Sequence, residues 1–162
     1  MTIRAVSLTA LAADQVSKLA VLHFFKLGQS VTLIPGFLYF TYIQNPGAAF
    51  GFLASTQAFW RIPFFIVITF LAGLVVFAYQ RFLPPEKKAA RFALGLIWGG
   101  AVGNFVDRLL YGKVVDFIDV GVQQYRWPVF NLADSCICVG LALMILDSVR
   151  NKPRPADSFS RE

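Results

Sequence analysis

Four stretches of this chain, residues 5–24, 59–79, 92–111 and 129–149, run for about 20 residues each with few charges, long enough to cross a hydrocarbon core of about 30 Å. No other feature restricts the fold so strongly, because inside lipid every backbone N–H and C=O must be satisfied within its own segment, which selects helices. The whole chain agrees: 57% hydrophobic residues, 17 Phe among 162 residues and a mean hydropathy of +0.61 leave too little polar surface to cover a water-soluble globule. The first stretch follows Arg4 and invites comparison with a cleaved signal peptide. Asp14 and Lys18 at its centre argue instead for a retained helix. The expected fold is therefore membrane all-α: a single domain over 1–162 with four transmembrane helices.

Charge orients the bundle. With both termini and the middle connection (80–91 and 150–162) cytoplasmic, that side holds Arg4, Arg81, Lys87, Lys88, Arg91, Arg150, Lys152, Arg154 and Arg161. The other side, 25–58 and 112–128 together with Arg61 at the outer end of the second stretch, holds only Lys26, Arg61, Lys113 and Arg126. The net charge of +6 thus reads as topology and contact with anionic lipid, not as a nucleic-acid surface. Leu83-Pro84-Pro85-Glu86-Lys87-Lys88 breaks the chain into an antiparallel hairpin of the second and third helices. In the longer first outer connection, residues 31–43 are rich in Val, Ile, Thr, Phe and Tyr around Pro35-Gly36, which predicts strands joined by a turn. They are expected to form a small periplasmic β-sheet and loop at the membrane surface, with Tyr125 and Trp127 marking the interface.

The residue inventory excludes several chemistries. His23 is the only histidine, so a zinc site has nothing to build from, and no metal or other cofactor is expected. Cys136 and Cys138 point to different faces of a helix and read as small core residues. Ser17 and Lys18 diverge by about 100° on a helix and do not form a dyad. What remains is a concentration of Asp, Asn and Arg near the outer ends of the last two apolar stretches. Asn104, Asp107 and Arg108 share a helix face; Gly112 then breaks the helix and the chain returns with Asp116. The fourth helix is expected to begin near Pro128, a favoured first-turn residue, and to carry Asn131 and Asp134 on one face, shallowly inside the membrane. An ionisable group at that depth costs about 2.5–3.5 kcal/mol on insertion scales, which makes each a candidate for function.

Two carboxyls close together in a poorly solvated pocket cannot both ionise; they share a proton, one serving as base and the other as acid. The same residue types could equally glue helices together, line a proton or cation path, or hold a partner protein, and spacing alone leaves these open.

The blocks Asp14-Gln15-Val16-Ser17-Lys18, Asn45-Pro46-Gly47-Ala48-Ala49-Phe50-Gly51, Gly99 through Arg108 continuing to Val114-Val115-Asp116-Phe117, and Phe130-Asn131-Leu132-Ala133-Asp134 resemble, in order and over nearly the whole chain, the motifs of the lipoprotein signal peptidases (signal peptidase II) of bacteria. The resemblance implies an inner-membrane aspartic endopeptidase that cuts diacylglyceryl-modified prolipoproteins just before the lipidated Cys. By that analogy the catalytic dyad falls on Asp116 and Asp134. Asp14, Lys18, Asn45, Gly47, Ala49, Phe50, Asn104, Arg108 and Asn131 fall at positions that support the site or hold substrate, and Asp107 at a structural polar position. It further implies membrane lipid as surroundings, inhibition by globomycin-type peptides, no nucleic-acid partner and a monomer. Asp119, in the outer connection, and Asp147, near the cytoplasmic end, are assigned no catalytic part.

Overall fold

The computed structural model describes residues 2–47 and 57–150. Four long helices, α1 (Ile3–Phe24), α2 (Ala58–Phe82), α3 (Lys88–Tyr111) and α4 (Leu132–Arg150), carry four strands in two groups: β1 (Ser30–Ile34) and β2 (Leu38–Asn45) after α1, β3 (Val114–Val122) and β4 (Tyr125–Arg126) after α3. The helices run 22, 25, 24 and 19 residues, which at about 1.5 Å per residue is enough to span a bilayer. All four are also apolar enough to do so.

Burial is inverted relative to a water-soluble protein. Phe59, Trp60, Phe70, Val75 and Phe82 on α2 are exposed, while Asp14, Lys18, Asp107, Asp116 and Asn131 are 0–2% exposed. Apolar side chains face lipid and polar ones face each other. The helices meet closely because Gly95, Gly99 and Gly103 recur every fourth residue on α3 and present bare backbone to α1. A Cβ on Gly99 would lie 2.6 Å from the Ser7 carbonyl oxygen, and one on Gly95 2.5 Å from the Val6 Cβ. On the other side of α3, Gly100 meets the Ala133 carbonyl of α4, and Gly140 of α4 meets the Ala93 carbonyl of α3. Small residues here let α1 and α4 flank α3 at backbone contact. α3 stops at Gly112, whose φ of +68° suits glycine, with its N–H donating to the Arg108 carbonyl at 3.0 Å.

The strands form one antiparallel sheet in the order β1-β2-β3-β4. The Pro35-Gly36 turn joins β1 to β2 where the β-branched and aromatic run predicts it. β3 was not anticipated as a strand. Its residues, Val-Val-Asp-Phe-Ile-Asp-Val-Gly-Val, carry strong β propensity on both sides of Asp116, and the sheet claims them. Asp119, expected in a loop, therefore sits on a strand, bonded to Thr41 (2.9 Å) and paired with Arg126 (2.6 Å). Val115 and Phe117 pack with Val21 of α1 and Tyr42 of β2, which ties the sheet to the end of α1. β2 bulges by one residue between Phe40 and Ile43, resetting which of its side chains face the bundle.

α4 begins later than the Pro128 expectation. Phe130 is held by the sheet, its N–H donating to the Ile118 carbonyl at 3.0 Å and its own carbonyl accepting the Ile118 N–H at 2.7 Å, so the helix starts at Leu132. Asp134 is thus in the first turn, closer to the helix start than the shallow position expected from a start at Pro128. Of the two cysteines, Cys136 is half-buried but Cys138 is exposed on the outer face of α4, not in the core. Asp147 pairs with Lys87 at 3.3 Å, between the start of α3 and the end of α4.

Candidate active site

The two aspartates come from different elements: Asp116 from the middle of β3 and Asp134 from the first turn of α4. Asn131 joins them. Its side-chain oxygen accepts the Asp134 N–H at 2.9 Å, while the Asn131 N–H donates to Asp134 Oδ2 at 3.3 Å. This is a reciprocal cap of the helix start, in which residue three of the helix is itself a candidate acid. The Asn131 amide nitrogen donates outward to Asp116 Oδ1 at 2.7 Å and to Asn104 Oδ1 at 3.0 Å.

Each carboxyl oxygen of the pair has one donor. Asp116 receives Asn131 on one oxygen and, on the other, the amide of Asn45 at 3.0 Å. Asn45 can reach because β2 pairs Ile43 with Asp116, so Asn45 is the diagonal cross-strand neighbour on the same face. Asp134 receives the Asn104 amide at 2.7 Å on Oδ1 and the Asn131 N–H on Oδ2. Asp116 is 1% exposed; burial first, then the nearby charge of Asp134, push its pKa up to about 7. Asp134 lies in the first turn of α4.

Asp14, Lys18, Asn104 and Asp107 lie together behind this pair. Lys18 Nζ pairs with Asp14 at 2.9 Å and Asp107 at 3.0 Å, and donates to Asn104 Oδ1 at 3.0 Å. Asp107 therefore takes Lys18 as its ionic partner, not the adjacent Arg108. The Arg108 guanidinium donates to the carbonyls of Asn104 (3.1 Å) and Gly47 (2.9 Å) and lies over the Phe65 ring, 4.0 Å from its centre. Gly47 also donates its N–H to Asn45 Oδ1 at 2.9 Å. The other two candidates, Ala49 and Phe50, lie outside the described residues. Gln15 is an addition that spacing alone did not single out. Its amide donates to Asp107 (3.0 Å), to Asp14 (3.2 Å) and to the Gly103 carbonyl (3.2 Å). The only sequence signal is its place beside Asp14 in the first of the blocks that carry the family resemblance.

The arrangement holds two carboxyl groups with every oxygen oriented, which is the equipment for general acid–base work on a polar bond.

Comparison with known proteins gives the same direction. The family model described as signal peptidase (SPase) II matches residues 6–150. The lipoprotein signal peptidase of Geobacter sulfurreducens is 43% identical over 152 residues, 94% of each chain. That of Syntrophotalea carbinolica is 42% identical over 140 residues, 86% of each chain. Two solved structures of a bacterial membrane enzyme superpose with TM-scores of 0.80 and 0.76, both at 32% identity; the first covers 98% of this chain and 92% of that one, the second 91% and 92%. With the family model covering residues 6–150 and relatives more than 40% identical over most of the chain, this protein belongs to the signal peptidase II family.

Proposed function

We propose that this chain is an aspartic endopeptidase that removes the signal peptide from diacylglyceryl-modified prolipoproteins by cutting just before the lipidated Cys. The observation that carries the reading is the joining of Asp116 and Asp134 through Asn131, with a hydrogen-bond donor on each of their four oxygens. Asp134 takes a proton from a water whose oxygen attacks the scissile carbonyl. Asp116, protonated by virtue of its raised pKa, gives its proton to the carbonyl oxygen. As the tetrahedral gem-diol collapses and the C–N bond breaks, Asp134 passes its proton to the departing amino group of the Cys and a hydroxyl of the diol returns a proton to Asp116, which leaves a carboxylic acid product and both aspartates in their starting state.

The Lys and Arg distribution supports cytoplasmic termini in a bacterial inner membrane, which puts the sheet and the aspartate pair near the periplasmic face. There a signal helix can slide in from the bilayer, and its acyl chains need not enter water at about 0.8 kcal/mol per CH₂. The test compares wild type with Asp116→Asn and Asp134→Asn in detergent, using prolipoprotein with and without the diacylglyceryl group. Both folded variants are expected to lose about 10³-fold or more in kcat, and the unmodified substrate to stay intact. Ordinary cleavage by either variant removes that residue from the dyad.

A further inference from the structure

Two buried acids outside the dyad have matching positions in the backbone. Asp14 Oδ1 accepts the N–H of Ala133, the residue just before Asp134, at 2.8 Å. Asp107 Oδ2 accepts the N–H of Val115, the residue just before Asp116, at 3.0 Å. One ammonium, Lys18 Nζ, contacts both acids, at 2.9 and 3.0 Å, and is 2% exposed. Each acid thus holds the peptide that carries one member of the dyad, and Lys18 ties the two acids together. The same ammonium donates to Asn104 Oδ1, which leaves the Asn104 amide nitrogen free to point at Asp134.

These contacts are long-range except for the Asp14–Lys18 pair and the Asp107–Val115 bond. Asp14 and Lys18 belong to α1, Asp107 and Asn104 to α3, Val115 to β3 and Ala133 to α4. Without Asp14, the Ala133 N–H would be one of the orphan donors at a helix start, buried beside α1. Gly103 leaves the space for this: a Cβ there would lie 2.5 Å from Asp14 Oδ2. Gln15 closes the cluster from the side, donating to both acids. The cluster of Asp14, Lys18 and Asp107 carries one net negative charge.

We infer that Asp14, Lys18 and Asp107 form a clamp that sets the separation of Asp116 and Asp134, with Lys18 as its central positioning residue. The inference rests on the proposed function for its catalytic consequence but not for its geometry. Lys18 makes no hydrogen bond or ion pair with either member of the dyad; it acts through the two peptides and through Asn104, and its charge also reaches Asp116 through space. A 1 Å misplacement of reacting groups is enough to cost about 100-fold in rate, so a clamp of this kind controls turnover without binding substrate.

The experiment uses the full-length protein in detergent with two variants, Lys18→Met and Lys18→Met/Asp107→Asn. The second keeps the formal net charge of the cluster at its original value and so keeps the test open if the first fails to fold. The first readout is amide hydrogen exchange by NMR at Ala133, with the mid-helix Gly140 amide as control. In both variants exchange at Ala133 is expected to rise about tenfold while Gly140 is unchanged. The second readout is cleavage of diacylglyceryl-prolipoprotein per folded molecule. kcat is expected to fall about tenfold or more, with KM within about twofold of wild type. A purely structural role would lower the amount of folded protein and leave kcat per folded molecule alone.

Wild-type exchange at Ala133 in the folded double variant overturns the clamp whatever the cleavage result. Raised exchange with unchanged kcat also overturns it, because the dyad then does not depend on it. If the wild-type protein fails to cleave the substrate, the proposed function falls, and exchange at Ala133 still decides whether the clamp exists.

Discussion

Asn131 has two separable duties, starting α4 and orienting the acids, and substitutions can divide them. Asn131→Ser keeps an oxygen that caps a helix as well as Asn does, but it has no amide nitrogen to reach Asp116 and Asn104. Asn131→Ala loses both. The lost cap costs about 1 kcal/mol, which in a chain of this size lowers Tm by about 2–4 °C. The lost donor to Asp116, a 2.7 Å bond to a protonated carboxyl group, is worth about 0.5–1.5 kcal/mol. Transferred in full to the barrier, that is roughly 2- to 10-fold in kcat, since about 1.4 kcal/mol is a factor of ten. Asn45 still holds the other oxygen of Asp116, so the lower end is expected. The expected pattern is a Ser variant that melts near wild type and an Ala variant that melts lower, with both slowed to a similar degree. Thermal unfolding followed by circular dichroism and a prolipoprotein cleavage assay measure the two effects. A Ser variant with full kcat would refute the orienting role; a Ser variant as unstable as Ala would refute the cap.

Three further outcomes follow from the same geometry. Because the folded pKa of Asp116 is raised above its unfolded value of 3.8, to about 7, its contribution to stability is fully present below pH 3.8 and is lost as pH rises through about 7. The wild-type Tm is therefore expected to fall between pH 5 and 8 relative to Asp116→Asn, and kcat to decline above about pH 7 as the acid loses its proton; parallel Tm curves would contradict this. Gly103→Ala places a Cβ 2.5 Å from Asp14 Oδ2 and 3.1 Å from its Cγ, and is expected to cost about 1–3 kcal/mol of stability together with activity, read by thermal unfolding and cleavage. Arg108→Lys cannot donate to both the Gly47 and Asn104 carbonyls while lying over Phe65, so KM is expected to rise, with a smaller change in kcat, in a steady-state titration of substrate.

The helices and the β1–β2 hairpin were legible because hydrophobic run length and β-branched composition act locally. β3 was not, since Asp116 interrupts an apolar run and the preceding Gly112 reads as the start of a loop; only pairing with β2 makes that segment a strand. The start of α4 was misplaced for a related reason. Pro128 satisfies the local preference for a first-turn residue, but the sheet holds Phe130 in an extended conformation and leaves Asn131 to cap the helix. Among site residues, the Asp14–Lys18 pair was legible from its i, i+4 spacing. Their partners on α3 and α4 were not, because contacts across 86 and 119 residues of sequence depend on topology. Gln15 went unassigned because its neighbours on α3 exist only once the glycine column has let α1 approach.

Asn131 also bears on the safety of a hydrolytic enzyme during its own biogenesis. The acids arrive on a strand and on the last helix, and the groups that aim them come from α1, β2 and α3. For the dyad proposed above, cutting therefore waits for the final helix, because a nascent chain with only its early segments inserted lacks Asp134 and the Asn131 that joins it to Asp116.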